Sequence, residues 1–170
     1  MIQSKMPLRP RIGITLGDPA GIGPEIARKA ASCQEIVRIC EPILYGSADI
    51  AGEYVGRESA EAGMSSYKAV EKAVRDVLDG VIDGVATAPI SQSAWALAGL
   101  PWRGHTECLA ALTGAAEVRM LFYSSRLTVV LSTVHMAIAD VPKMLTKNCL
   151  KVTICLLYTS DAADERSSVD

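Results

Sequence analysis

The sequence predicts an α/β fold, and three observations carry that prediction. Short apolar runs rich in Ile, Val and Leu alternate with segments of helical period. Turns containing Gly and Pro separate the two kinds of segment. The length, 170 residues, suits one compact domain with its own core, or part of a larger one, and is short for two ordinary domains.

Residues 11–16 read as the first strand, with Ile12, Ile14 and Leu16 as its apolar positions. The stretch from Ile14 to Ile26, ITLGDPAGIGPEI, then turns the chain into a helix over 24–31. Its glycines allow a tight turn, and Pro24 suits a first helical turn, where its missing N–H has no partner to lose. Helix starts of this kind attract anions. The spacing is G-x-x-x-G-x-G-P, however, which is neither the dinucleotide fingerprint nor a P-loop, and no Lys stands where a P-loop needs one. A nucleotide cradle and a plain strand-to-helix turn both remain open at this point.

A second strand is expected over 42–45, and the Gly-, Glu- and Ser-rich residues 46–63 read as a surface excursion. The segment SSYKAVEKAVRDVLDG predicts a scaffold helix over 66–79. Ser65 or Ser66 caps it, Ala69, Ala73, Val74, Val77 and Leu78 form its apolar face, and Gly80 offers a left-handed stop. Strands follow over 81–86, 118–123 and 127–132, with a helix over 106–112. After about Cys155 helical periodicity gives way to small polar and acidic residues. The domain is therefore expected to occupy 1–155. Residues 156–170 are expected to be a non-native or disordered tail, because an α/β chain stopping there has no closing strand or helix.

Composition narrows the function classes. A net charge of −2 with scattered Lys and Arg gives no basic stripe, so nucleic acid is not an expected partner. The five cysteines, Cys33, Cys40, Cys108, Cys149 and Cys155, are unclustered and lack any C-x-x-C, which argues for reduced thiols and a cytosolic setting. The start, MIQSKMPLRPR, has no apolar region behind its cations, and no apolar run is long enough to span a bilayer. A soluble cytoplasmic protein acting on a small molecule is the resulting expectation.

The chain has two histidines, and both fall where functional residues are expected. His105 lies in WRGHTE, after a Gly and before a helix, so its ring, the Thr106 hydroxyl and the free N–H groups of the helix start can converge on an anion. The alternative is a His–Thr–Glu capping arrangement with no ligand. His135 follows the run LTVVLST and so falls at the carboxyl end of a strand, the edge where open α/β sheets bind ligands. A metal there needs further ligands; Asp140 or Asp18 could approach, but no H-x-x-x-H pair exists, and a hydrogen-bonded structural His is the alternative. No G-x-S-x-G nucleophile motif is present.

Three segments together, RIGITLGDPAGIGPEIA, DGVATAPISQSAWALAGLPWRGHTECLAALTG and RLTVVLSTVHMAIADVPKMLT, resemble the amino-terminal half of the 4-hydroxythreonine-4-phosphate dehydrogenase family of vitamin B6 synthesis. The resemblance runs from Arg11 to about Lys151, with the motifs in the family's order. It implies an isocitrate/isopropylmalate dehydrogenase-like α/β fold, here truncated, and a homodimer when full length. It also implies NAD or NADP and a divalent metal such as Zn, Mg or Co as cofactors. His105 and Thr106 match the family's substrate-binding pair, and His135 matches the first of three metal-binding histidines. The other two have no counterpart, so the chain as given is expected to be inactive. Gln92 stands where the family usually has Lys, which bears on substrate anchoring, and the region around 45–63 looks shorter than usual. In this family the first Gly-rich turn shapes the cleft and is not a dinucleotide loop.

The implied reaction is oxidation of 4-hydroxy-L-threonine 4-phosphate to a 3-oxo acid, which decarboxylates to 3-amino-2-oxopropyl phosphate. Two other readings stand beside it. One is a dehydrogenase of phosphorylated four-carbon sugar acids such as 4-phosphothreonate or 4-phosphoerythronate. The other is a non-catalytic phosphate-binding or dimerisation module.

Overall fold

The computed structural model describes residues 9–47 and 55–159, and the chain divides into two compact units, the first ending at Thr113 and the second beginning at Gly114. The first unit carries the α/β pattern. Its elements are β1 (Arg11–Thr15), α1 (Gly23–Ser32), α2 (Gln34–Ile39), β2 (Glu41–Tyr45), α3 (Ala60–Leu78), β3 (Gly84–Thr87), α4 (Gln92–Leu97) and α5 (His105–Thr113).

The three strands are parallel in the order β2-β1-β3, with Ile12 opposite Pro42 on one side and Gly84 on the other. Because β1 is central and buried on both faces, its alternate residues pack in opposite directions. Ile14 joins Leu16, Ala27 and Ala88 under α1. On the other face Tyr45 and Ile82 pack with Ala69 and Ala73 of α3. Burying the larger of these side chains, Ile14, Leu16 and Ile82, stabilises the fold by roughly 1.5–3 kcal/mol each. Tyr45 also donates its phenol to Asp76 Oδ2 at 2.7 Å, and Lys72 reaches the same oxygen at 3.1 Å. Burial, and then this hydrogen bond, push the phenol up to about 12.

α3 starts earlier than its periodicity suggested. Ser59 caps it by accepting from the Ala62 amide at 3.1 Å, so residues 60–63 of the expected excursion are helical; residues 48–54 lie outside the description. Ser66 is not a cap but a buried mid-helix residue whose hydroxyl donates to the Gly63 carbonyl. Leu78, read as part of the apolar face, is 61% exposed. Gly80 does follow the helix with φ +69°. A second core joins α3 to α4 and α5 through Val70, Val74, Trp95 and Cys108, and this core carries the candidate site.

The second unit is built differently from the sequence expectation. β4 (Leu121–Tyr123) and β5 (Thr128–Val130) are shorter than predicted and form an antiparallel pair, Phe122 opposite Val129, outside the parallel sheet. Ser124 closes the hairpin by accepting from the Leu127 amide and donating to its carbonyl. A 3-10 turn (Ile138–Asp140), α6 (Val141–Met144) and α7 (Lys147–Thr159) follow. Thr153, buried on α7, accepts from Arg119 at 3.1 Å and donates to the Cys149 carbonyl. Residues 156–159 of the expected tail thus continue a helix, while 160–170 lie outside the description.

Candidate functional site

β2 and β3 flank β1, so the loops leaving β1 and β3 meet at the point where the strand order reverses, the usual ligand crevice of such sheets. The Asp18 amide donates to the Pro89 carbonyl at 2.9 Å across this junction. Gly17 lies at φ +70°, and the Pro89 carbonyl oxygen fills the space its Cβ would take; Leu16's own carbonyl does the same at Gly23. Asp18 turns inward to accept from the Ala20 amide at 2.8 Å. Gly17 and Gly23 are therefore needed for backbone-to-backbone packing, and at both positions the space a side chain would take is filled by the protein's own carbonyls.

The polar groups converge instead at the start of α5. Gly104, without a side chain, precedes the helix, and its carbonyl accepts from the Cys108 amide at 3.3 Å. His105 and Thr106 are the first two residues of the helix, so Thr106 lies inside the first turn rather than at the capping position. Its hydroxyl makes no hydrogen bond to a described residue. The capping arrangement allowed by the sequence is thus not formed, and the first-turn N–H groups, which have no partner within the helix, flank both side chains.

His105 is half-buried, and its ring meets Trp95 edge-on, with centroids 5.9 Å apart at 72°. Its Nε2 is buried with no hydrogen-bond partner among the described residues. An orphaned polar atom of this kind costs about 1–3 kcal/mol unless a ligand, ion or water satisfies it; Thr15 Oγ1 and Thr128 Oγ1 share this state, but only His105 stands at a helix start. Burial holds the imidazole's pKa below the ordinary 6.5, so the ring is neutral near pH 7. Beside it, Gln92 opens α4 with its amide nitrogen 3.8 Å from where a Cβ on Gly104 would sit. Ser91 caps that helix, and Glu58 accepts from Ser93 and Ser91; these hydrogen bonds hold its carboxyl below the usual carboxylate range. Sequence reading missed α4 as a helix and with it Trp95. At six residues the helix is too short to show a helical period in the sequence.

In the second unit His135 is exposed at φ +53°, the one non-Gly residue at positive φ among those described. It lies in a bend five residues beyond the end of β5, and β5 is not part of the parallel sheet, so the expected sheet-edge placement is corrected. Asp140 pairs with Lys143 at 3.0 Å. Among the described residues no three of His, Cys, Asp and Glu converge, so His135 alone does not make a metal centre here.

A model of the family described as Pyridoxal phosphate biosynthetic protein PdxA matches residues 23–167. The chain is similar to a 4-hydroxythreonine-4-phosphate dehydrogenase of Geobacter metallireducens, 33% identical over 190 residues that take in 88% of this chain and 56% of that protein. It is also similar to a D-threonate 4-phosphate dehydrogenase of Cupriavidus necator, 29% identical over 184 residues, 85% of this chain and 55% of that protein. A crystal structure of a 4-hydroxythreonine-4-phosphate dehydrogenase from Burkholderia phymatum shares the fold with TM-score 0.73 and 29% identity, over 86% of this chain and 56% of that one. The chain spans about half the length of the curated relatives it matches. The 190 aligned positions exceed the chain's 170 residues, so it is shorter than that relative within the matched stretch.

Proposed function

The chain belongs to the PdxA family of pyridoxal phosphate biosynthetic proteins, and on that premise we propose that it is the phosphate-anchoring, amino-terminal half of a dehydrogenase of phosphorylated four-carbon hydroxy acids. The proposed reaction oxidises the C3 hydroxyl of 4-hydroxy-L-threonine 4-phosphate, with hydride passing to NAD or NADP. The 3-oxo acid formed loses carbon dioxide to give 3-amino-2-oxopropyl phosphate.

One observation carries this reading: His105, whose buried Nε2 has no partner among the described residues, and Thr106, whose hydroxyl bonds to none of them, stand together at the start of α5. Their part is to bind. The Thr106 hydroxyl and first-turn N–H groups donate to the substrate's phosphate, and His105 donates from its ring. Held at that end, the substrate presents its hydroxyl-bearing carbon in one orientation, so remote binding energy serves the reacting bond. We assign the divalent metal in part to His135; among the described residues no group of three His, Cys, Asp or Glu completes its site. The turn after β1 does not fit a dinucleotide, since the Pro89 carbonyl fills the space at Gly17 and the Leu16 carbonyl that at Gly23. The unclustered cysteines support a cytoplasmic enzyme, and we place it there as a homodimer.

A second substrate reading is favoured by the relatives themselves, since one is named for D-threonate 4-phosphate. Joined to the carboxyl-terminal half of a relative, the chain is expected to reduce NAD with 4-hydroxythreonine 4-phosphate or with 4-phospho-D-threonate, and the preferred one decides between the two readings. Reduction with neither, in a folded protein, overturns both.

A further inference from the structure

Trp95 is fully buried, yet its one polar atom is satisfied: the indole N–H donates to Ser66 Oγ at 2.7 Å, and that hydroxyl donates in turn to the Gly63 carbonyl at 2.8 Å. α3 and α4 touch backbone to backbone at this point, where Ala94's carbonyl fills the space of a Cβ on Gly63. The indole is therefore anchored both through its own helix and through its N–H. Tyr67 packs on it edge-on at 6.3 Å and itself stacks on Trp102 at 5.2 Å. The remaining edge of the cluster is His105, at 5.9 Å from Trp95.

We propose that Trp95, anchored on Ser66, is the positioning residue for His105: it fixes the imidazole at the start of α5 so that its unpartnered Nε2 is held ready to meet an anion. This rests on the reading of His105 as a phosphate-binding residue and adds the device that orients it. Trp95 touches no substrate; it acts through the ring it holds. A rigid aromatic packed against an imidazole restricts its rotation and removes water from one side, so the ring's hydrogen bond to a ligand is formed without first being ordered. The ionisable groups around the imidazole are Cys108 in the same cluster, Tyr67 with its partner Glu71 on α3, and Glu107 in its own turn. Desolvation, rather than any of these charges, is what lowers its pKa.

The test is an NMR titration of the two histidine rings of the 170-residue chain, with and without inorganic phosphate, in the parent, Trp95→Leu, Trp95→Phe and Ser66→Ala. In the parent, phosphate is expected to raise the pKa of His105 and to leave His135 unmoved. In Trp95→Leu the unliganded pKa of His105 returns toward 6.5, and phosphate affinity falls roughly threefold to tenfold, the worth of one well-made hydrogen bond. Trp95→Phe, which keeps an aromatic face but lacks the N–H that anchors it on Ser66, recovers only part of that affinity. If phosphate moves His105 equally in the parent and in Trp95→Leu, the positioning role is overturned while phosphate binding stands. If phosphate moves His105 in neither, the phosphate reading fails and takes the positioning role with it. Should Trp95→Leu not fold, Ser66→Ala decides: it leaves the His105 ring in place and removes the hydroxyl that anchors the indole, and unchanged phosphate affinity in it overturns the proposal.

Discussion

The Pro89 carbonyl oxygen occupies the space that a side chain on Gly17 would need, and Gly17 itself stands at φ +70°. Gly17→Ala must therefore accept both a left-handed backbone and a clash with main chain. The left-handed conformation alone costs about 1–2 kcal/mol. Gly80 has the same backbone sign, φ +69°, with nothing within 4 Å of the added Cβ. Urea unfolding is expected to show Gly80→Ala losing about 1 kcal/mol and Gly17→Ala clearly more, about 3 kcal/mol or above. Equal losses would mean that the two loops do not meet as described.

His105 gives the fold a pH dependence of defined sign. Its folded pKa lies below 6.5, so the unfolded chain takes up the proton more readily. Stability is unaffected by this ring above about pH 6.5 and falls as pH drops from there toward the folded value. The urea midpoint should therefore fall between about pH 7.5 and about pH 5.5, and fall less in His105→Gln. An identical drop in the variant would place the titrating group elsewhere.

The same ring should bind anions better in mild acid. A bound phosphate favours the imidazolium, so binding takes up a proton at pH values above the ring's lowered pKa. Calorimetry in two buffers of different ionisation enthalpy is the measurement; proton release on binding would contradict the assignment.

Cys108 should be chemically silent. Burial, with Glu71 adding a smaller effect, pushes its thiol up to about 11, and it has no exposed surface. Iodoacetamide at neutral pH is expected to leave it unmodified in the folded chain and to modify it in urea. Mass spectrometry showing equal rates in both would contradict the packing of α5 against α3.

The parallel sheet was legible because β1, β2 and β3 are apolar runs bounded by turn residues, and the period-3.6 face of α3 from Ala69 to Val74 stands out. Other features escaped for physical reasons. Ser66 looked like a cap because serine usually is one, but a tertiary partner, the Trp95 indole, gives it a buried place. α4 is six residues long, too short for periodicity to declare itself. β5 looked like a sheet strand, yet pattern alone does not say which strand pairs with it, and it paired with β4. Of the site, His105 and Thr106 were visible in GHTE, whereas the Trp95 edge, α4 and the Glu58 contacts depend on residues far apart in sequence.

In the proposed division of labour His105, at a helix start, faces an anion and His135, in a bend of the second unit, faces a cation. This division is tested most directly by steady-state kinetics and metal affinity of His105→Ala and His135→Ala in a protein that joins this chain to the carboxyl-terminal half of a relative. The expected result is an apparent substrate constant raised about tenfold to a hundredfold in His105→Ala with metal affinity unchanged, and the reverse pattern in His135→Ala. The contradicting result is metal affinity falling equally in both variants, or a His105→Ala enzyme whose melting temperature drops while its kinetics stay intact.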